Sequence, residues 1–206
     1  MNSDKLLTPG GDVSGFFNIP TTFYEFDPAR PRSGLVALTH QPDVNGGFTW
    51  TSRLLLLPNG QVLCSTNGTT FALYRPSTAE LKPAVSRPSI SNFGSAQLPM
   101  VLKAGQTYTL SGTHFNGFSQ ANSYGDDAQM ATNYPIVQLT GVESRRVQYL
   151  RSFNFSSLGI AVPGSVSCDV EVPLGMSPGA WDLVVIANGI ASAAVRIYID
   201  ALANIV

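Results

Sequence analysis

Charge and long apolar runs are both scarce in this sequence. Only 12% of its 206 residues are charged, and 12 Lys and Arg are scattered among 13 Asp and Glu, for a formal net charge of -1. Proteins that bind nucleic acid normally carry a basic stripe, so we expect no nucleic-acid partner.

No apolar run approaches the roughly 18 residues of a membrane span. The first residues, MNSDKLLTPGGDVSG, lack the charged head and apolar middle of a secretory signal. We therefore expect neither a membrane span nor a signal peptide in this chain.

Cysteine is scarce as well, because the chain contains only Cys64 and Cys168. In the segment SVSCDVEVP, alternation places Cys168 on the apolar face of a strand, together with Val166 and Val170. Two separate buried thiols are therefore the favoured interpretation. A disulfide between the two cysteines stays open as the alternative.

Glycine and proline, by contrast, are frequent, with 19 and 14 residues. Together with many Ser, Thr and Asn residues they divide the chain into short apolar runs. The 3.6-residue periodicity of amphipathic helices is absent. This combination predicts an all-β fold.

The first half of the chain contains an internal repeat. FYEFDPA at 23–29 and FALYRPS at 71–77 align Phe with Phe and Pro with Pro, at an offset of 48 residues. Between them, SRLLLLPNGQVLCST consists of two apolar runs joined by Pro58, Asn59 and Gly60. Because an Asn-Gly pair supplies the positive φ angles of a tight hairpin, residues 53–57 and 61–65 are predicted to pair as antiparallel strands.

These segments carry a resemblance to a known repeat. LLLLPNGQVLCS followed by FALYRPS resembles the blade of bacterial kelch propellers related to galactose oxidase, whose period is about 50 residues. The resemblance implies that residues 23–77 are the end of one blade and one whole further blade. A blade is a four-stranded sheet with apolar surface on both faces. A single blade cannot cover its own faces, so we expect self-association or a partner chain that covers them.

The second half predicts a different domain. AGQTYTLSGTHF predicts a strand over 107–113, and YPIVQLT, RVQYLRSFNF and SVSCDVEVP predict three more. GAWDLVVIANGIASAAVRIYID predicts two final strands around Asn188 and Gly189. About seven short strands separated by turns predict an immunoglobulin-like β-sandwich. The predicted organisation is an N-terminal extension at 1–22, kelch-type propeller-blade strands at 23–88 and the sandwich at 89–206.

A second resemblance covers residues 90–200. SPGAWDLVVIANGIASAAVRIYI is similar to the close of the C-terminal domain of galactose oxidase, an early-set immunoglobulin-like sandwich. LSGTHFNGFSQANSYGDDAQMATNYPIVQLT is similar to the version of that domain in bacterial kelch-repeat proteins. The resemblance implies an extracellular or cell-surface location.

The same resemblance raises the question of copper chemistry. Galactose oxidases oxidise primary alcohols at a copper held by two Tyr and two His, and one of these His precedes the strand that matches YPIVQLT. This chain has Gln129, Met130 and Asn133 in that region and no His. Its two histidines, His40 and His114, lie elsewhere, where surface or loop packing explains them better than a metal does. We expect no copper site and no enzymatic activity in this chain.

Two adjacent carboxylates stand out in the loop NSYGDDAQMATNYP. Asp126 and Asp127, with Asn133, offer the oxygen ligands that Ca²⁺ accepts. Neighbouring residues of an extended chain point to opposite sides, however, and the alternate-position acids of a calcium loop are absent. Stabilisation of a turn in this loop is therefore the favoured interpretation, and a bound Ca²⁺ is the alternative.

The same loop and its flanks contain aromatic residues that are able to stack on sugar rings, while Asp and Asn bond to hydroxyl groups. Packing of these rings onto the core is the favoured alternative. The candidate ligand-binding residues are Phe118, Tyr124, Asp126, Asp127, Asn133 and Tyr134.

The functional hypothesis is a non-catalytic structural or recognition module of an extracellular kelch/galactose oxidase-like protein, supporting assembly or ligand binding, without a cofactor. Two alternatives remain. One is a subunit or fragment of a copper radical alcohol oxidase whose metal site lies in other blades. The other is a glycan-binding module.

Overall fold

The computed structural model describes residues 6–10, 21–27, 30–39, 49–65, 69–75, 86–93, 100–118, 123–124, 128–129 and 134–200. The chain divides into two compact units, Met1–Val85 with Gln120–Thr132 and Ser86–Ser119 with Asn133–Val206. Strands dominate both units, which confirms the all-β class, and Pro31–Ser33 and Thr49–Thr51 form short 3-10 turns. Across these ranges, no helix has the length and apolar character needed to cross a membrane.

The first unit contains two three-stranded antiparallel sheets and a short ribbon. Sheet I has the order β1-β2-β3, sheet II has the order β4-β5-β6, and β10 pairs with β11 in the ribbon. The strands are β1 (Leu6–Gly10), β2 (Thr22–Phe26), β3 (Leu35–Ala37), β4 (Arg53–Leu56), β5 (Val62–Ser65), β6 (Phe71–Tyr74), β10 (Ser123–Tyr124) and β11 (Ala128–Gln129). Strand β1 lies within the segment 1–22 that the sequence predicted as an extension. The described part of each sheet has three strands, where the kelch resemblance implied four.

The predicted hairpin of sheet II is confirmed, because β4 and β5 pair in antiparallel register. Its turn differs from the expected one. Of the three loop residues Pro58, Asn59 and Gly60, only Gly60 has a positive φ, of 80°. The loop is therefore a three-residue turn that ends in a left-handed glycine, which needs one such residue and not two. The Asn59 carboxamide oxygen accepts the Gln61 N–H at 3.1 Å and stiffens the turn.

Sheets I and II pack against each other through a small apolar cluster. Its buried members are Phe23, Val62, Cys64 and Tyr74. Partly buried residues from both sheets close its edges, namely Leu7, Leu38, Leu54, Leu56 and Ala72. The Tyr74 hydroxyl also donates a hydrogen bond to the Glu25 carboxylate, which links sheet II to sheet I.

The second unit is a set of strands in the order β7-β9-β14-β13-β12-β15-β17-β8, with β16 paired to β15. The strands are β7 (Ser89–Phe93), β8 (Met100–Lys103), β9 (Thr107–Thr113), β12 (Ile136–Gly141), β13 (Val147–Phe153), β14 (Ser165–Glu171), β15 (Gly179–Ala187), β16 (Ile190–Ala191) and β17 (Val195–Asp200). The predicted strand over 107–113 is confirmed, and so are β12, β13, β14 and β15, with boundaries shifted by a residue or two. The predicted final strand is divided into β16 and β17.

Strand β13 joins two groups of strands. Its residues Val147 to Leu150 pair with β12, whereas Arg151 to Phe153 pair with β14. Apolar side chains from both groups meet in one core. In general terms, the second unit is therefore a β-sandwich. The most buried members of that core are Phe93, Leu102, Leu110, Phe115, Val137, Leu139, Val170, Val172, Leu183, Val185 and Ile197.

Two strands of this unit lie in a stretch whose sequence shows little periodicity. Strand β7 pairs antiparallel with β9 through a bulge between Ile90 and Asn92. Strand β8 pairs parallel with β17 and buries Met100 and Leu102. The parallel pairing places β8 beside a strand that follows it by almost a hundred residues, so local sequence carries no signal for it.

The turn between β15 and β16 confirms the second Asn-Gly prediction. Asn188 and Gly189 have φ angles of 47° and 74°. Positive φ at both central residues defines the two-residue turn that best matches the right-handed twist of paired strands. The Asn188 side chain also accepts a hydrogen bond from the Phe118 N–H.

The two cysteines are free thiols, one in each unit, and both are buried. The favoured interpretation of the sequence is thus confirmed. Burial raises the pKa of Cys64 to about 11, and a backbone hydrogen bond from Tyr74 opposes this shift. Burial also raises the pKa of Cys168 to about 12, to which the neighbouring carboxylate of Asp169 adds. Both thiols are therefore neutral and inert at physiological pH.

These pKa values predict a loss of stability in alkali. Each folded-state pKa lies above the ordinary value of 9.0, so the thiols contribute stability that is complete below pH 9 and is lost as the pH rises towards 11 or 12. Urea unfolding at pH 8, 9.5 and 10.5 measures this effect. The double variant Cys64→Ala, Cys168→Ala is the control, and we expect its stability to fall less steeply with pH. An identical slope in the two proteins would contradict the prediction.

Candidate functional site

The loop that carries Phe118 is held by hydrogen bonds to two other segments of the second unit. The Phe118 N–H donates to the Asn188 carboxamide oxygen at 2.7 Å. The Gly117 carbonyl accepts the Ala161 N–H at 2.8 Å. Gly117 has a φ of 67°, and a Cβ at this position would overlap the Asn188 side chain. The backbone of this loop is thus rigidly placed, as a binding loop on a β-scaffold requires.

The Phe118 side chain packs on a histidine and leaves much of its ring in solvent. Its centroid lies 4.8 Å from that of His114, with the rings tilted by 57°. The His114 Nδ1 atom lies 3.3 Å from the Arg87 carbonyl oxygen. His114 is therefore occupied in loop packing, as the sequence predicted. Phe118 is 45% exposed, so part of the residue stays in contact with solvent.

Tyr134 forms a similar but separate contact. Its ring centroid lies 6.0 Å from that of Phe155, and the residue is 42% exposed. The next residue, Pro135, accepts a hydrogen bond from the Ser152 hydroxyl at 2.9 Å. Phe118 and Tyr134 thus pack on different aromatic neighbours, and both combine ring packing with a half-open surface.

Four of the six predicted ligand-binding residues have no described side chain. Asp126, Asp127 and Asn133 lie outside the described residues, as does His40. For Tyr124 the structure gives only the backbone of β10, which pairs with β11. The calcium site at Asp126 and Asp127 therefore stays a prediction.

A polar cluster that the sequence did not indicate surrounds Asp169. Its carboxylate accepts hydrogen bonds from the Thr109 hydroxyl at 2.8 Å and the Asn154 carboxamide at 2.9 Å. The bonds from Asn154 and Thr109 lower the pKa of Asp169. The backbone of Asn154, whose carboxamide donates to Asp169, has a positive φ of 50°. Each carboxylate oxygen accepts one of these bonds, and the bond from Thr109 links β9 to β14.

Metal-binding side chains do not cluster in the part of the chain that the structure describes. No three His, Cys, Asp or Glu residues come together within those ranges. The galactose oxidase copper requires two imidazoles, and the described one, His114, is taken up by its contacts with Phe118 and Arg87. The expectation that this chain holds no copper stays a prediction.

The most distinctive surface is an apolar sheet face in the first unit. In sheet II, Leu55 pairs with Leu63, and Leu63 pairs with Leu73, so all three point to one side. Phe71 lies on the same side, because it is two residues from Leu73. Phe71 and Leu73 are 65% and 50% exposed, and Leu55 is also exposed. These four residues form what we call the outer face of sheet II.

The opposite side of sheet II is the one that packs on sheet I. It contributes Val62, Cys64 and Tyr74 to the buried cluster. Sheet II is therefore apolar on both sides and covered on one. The continuous apolar run from Leu54 to Leu57 indicates that both sides of the strand are apolar. A strand with one solvent-exposed face alternates between apolar and polar residues.

Comparison with protein-family models and with curated protein sequences gave no match for this chain.

Proposed function

We propose that this chain is a non-catalytic module of an extracellular kelch/galactose oxidase-like protein, with assembly or recognition as its role. The observation that carries the proposal is the outer face of sheet II. Its residues Leu55, Leu63, Phe71 and Leu73 present apolar surface to solvent on a sheet whose other side is already covered. Contiguous exposed apolar surface of this kind marks interaction sites.

The organisation of the first unit supports this proposal. Sheets I and II are short, antiparallel and packed face to face. Each contains one copy of the internal repeat, and the copies are offset by 48 residues. Stacked repeats of this type bury their faces only against neighbouring repeats. The resemblance to kelch blades agrees with that arrangement. The separate resemblance over residues 90–200 implies that the second unit is the early-set immunoglobulin-like domain that follows a propeller.

Four reactive groups of the described residues agree with the proposed non-catalytic role. Asp169 is bonded to Thr109 and Asn154, and His114 is packed on Phe118. The buried thiols of Cys64 and Cys168 have raised pKa values. None of these groups combines access to solvent with the activated state that a nucleophile or a general base needs.

A copper titration of the purified chain tests the proposal. We expect no copper bound with high affinity, no radical absorption bands and no oxidation of primary alcohols. Stoichiometric copper together with alcohol oxidation would overturn the proposal and favour the alternative of an oxidase subunit.

Glycan recognition is the second candidate, and the half-exposed rings of Phe118 and Tyr134 favour it. A glycan array probed with the purified chain would show a defined binding profile. Phe118→Ala or Tyr134→Ala would remove the signal, since stacking on a sugar needs the ring. Leu158→Ala, at another exposed apolar residue of the same unit, is the control that we expect to keep binding.

A further inference from the structure

The internal repeat assigns equivalent faces to the two sheets of the first unit. At the offset of 48 residues, Phe23 corresponds to Phe71 and Phe26 to Tyr74. Alternate residues of a strand share a face. The face of sheet I that contains Phe23 therefore corresponds to the outer face of sheet II. The opposite face of sheet I, which contains Phe26, corresponds to the side of sheet II that contains Tyr74.

The buried contact between the sheets joins two unlike faces. Sheet I contributes Phe23, with Leu7 and Leu38 beside it. Sheet II contributes the side that contains Tyr74 and Val62. Each sheet thus has one face of the Phe23 type and one of the Tyr74 type, and the contact forms between one of each.

This pairing leaves one face of each type exposed at the two ends of the stack. The outer face of sheet II is of the Phe23 type, and Phe71 is 65% exposed where its equivalent Phe23 is fully buried. At the other end, the outer face of sheet I is of the Tyr74 type. We define it by Tyr24, Phe26, Leu35 and Ala37, which the register of β2 and β3 places on one side. Leu35 and Ala37 are exposed, and the two aromatic residues are partly buried.

We propose that the chain self-associates head to tail, with the outer face of sheet I of a second copy seated on the outer face of sheet II. This inference rests on the proposed function and names the partner. The new contact continues the one inside the chain, because it joins the same two types of face in the same order. A contact between unlike faces is heterologous, so it propagates from copy to copy until a ring closes.

Sedimentation velocity over a range of concentrations tests the inference. We expect the wild-type chain to associate beyond a dimer or to close into a small ring. Phe71→Asp places a charge in the outer face of sheet II and is expected to weaken self-association by at least about 30-fold, as loss of a central interface residue does. Leu35→Asp is expected to do the same from the other end. Leu174→Asp, at a leucine of the second unit that is 69% exposed, is the control that keeps wild-type association.

Mixing the two defective variants gives the sharpest result. Phe71→Asp retains an intact outer face of sheet I, and Leu35→Asp retains an intact outer face of sheet II. We therefore expect an equimolar mixture to form a one-to-one dimer that grows no further, although each variant alone stays monomeric. Leu73→Asp and Ala37→Asp are the replacements if either variant fails to fold by circular dichroism.

Three outcomes would overturn the inference. The first is a wild-type chain that stays monomeric at all concentrations. The second is Leu35→Asp associating as the wild type does, which would indicate a symmetric contact between two outer faces of sheet II. The third is a mixture that shows no heterodimer. None of these results depends on copper binding or alcohol oxidation, so failure of this inference is distinct from failure of the non-catalytic proposal.

Discussion

Phe23→Ala is expected to destabilise the first unit by about 3–5 kcal/mol, the usual cost of removing a fully buried phenylalanine. Phe71→Ala, at the equivalent position of the repeat, is expected to change stability by no more than about 0.5 kcal/mol. The two residues share a residue type, a strand position and an aromatic neighbour three residues later. They differ in burial, because Phe23 is 0% exposed and Phe71 is 65% exposed.

Amide hydrogen exchange at low protein concentration measures this pair of variants. Protection of β2, β5 and β6 reports on the first unit alone, and low concentration keeps the outer face of sheet II free of any second copy. Protection in β12 and β15 of the second unit is the internal reference. Equal losses of protection in the two variants would show that Phe71 is buried within one chain, and would remove the basis of the assembly proposal.

Gly112→Ala is expected to destabilise the second unit by about 2–3 kcal/mol through overpacking. Gly112 lies in β9 between Ile90 of β7 and Val166 of β14. A Cβ there would overlap the Ser89 carbonyl oxygen and approach the Phe115 ring to 2.5 Å. A backbone oxygen that lies in a sheet cannot move aside as a flexible side chain does, so β7 must shift away from β9.

Gly175→Ala is the matched control for this variant. Gly175 has open space around the position of a Cβ and no positive φ, so we expect stability close to that of the wild type. Urea unfolding followed by the fluorescence of Trp181, which is buried in the same core, compares the two variants in a Trp50→Phe background that removes the other tryptophan. Equal unfolding midpoints would show that β7 is loosely attached to the sandwich.

The difference in burial between Phe23 and Phe71 supports the proposed self-association. The same residue type forms a core contact at one copy of the repeat and lies on an exposed surface at the other. The structure alone shows which copy is covered, and the proposed head-to-tail contact completes the stack with the surfaces that the chain already uses internally.

Much of the fold was predictable because its signals are local. Alternation in β14 and β17 correctly assigned the buried sides, as Val166, Cys168 and Ile197 show. The Asn-Gly pairs correctly marked the hairpins of β4 with β5 and of β15 with β16. Side chains two residues apart in a strand face the same way whatever the rest of the chain does. Such patterns need no knowledge of the partner strand.

The candidate site was less predictable. The sequence named Phe118 and Tyr134 as candidate ligand-binding residues and favoured packing of their rings onto the core. The half-exposed rings and their contacts with His114 and Phe155 do not follow from spacing. The hydrogen bonds of Asp169 with Asn154 and Thr109 join three strands or loops, so no local pattern indicates them. Contacts between segments that are distant in sequence depend on register, which tertiary packing determines.

The residue order by itself determined the all-β class, the positions of the hairpins and the sides of the regular strands, because backbone geometry ties each of these to its nearest neighbours. Tertiary structure alone decided that β8 runs parallel to β17, that β13 serves two groups of strands, and that sheet II keeps Phe71 exposed. The physical reason is that a phenylalanine on a strand favours burial equally at both copies of the repeat, and only the presence of a second surface decides which one is buried.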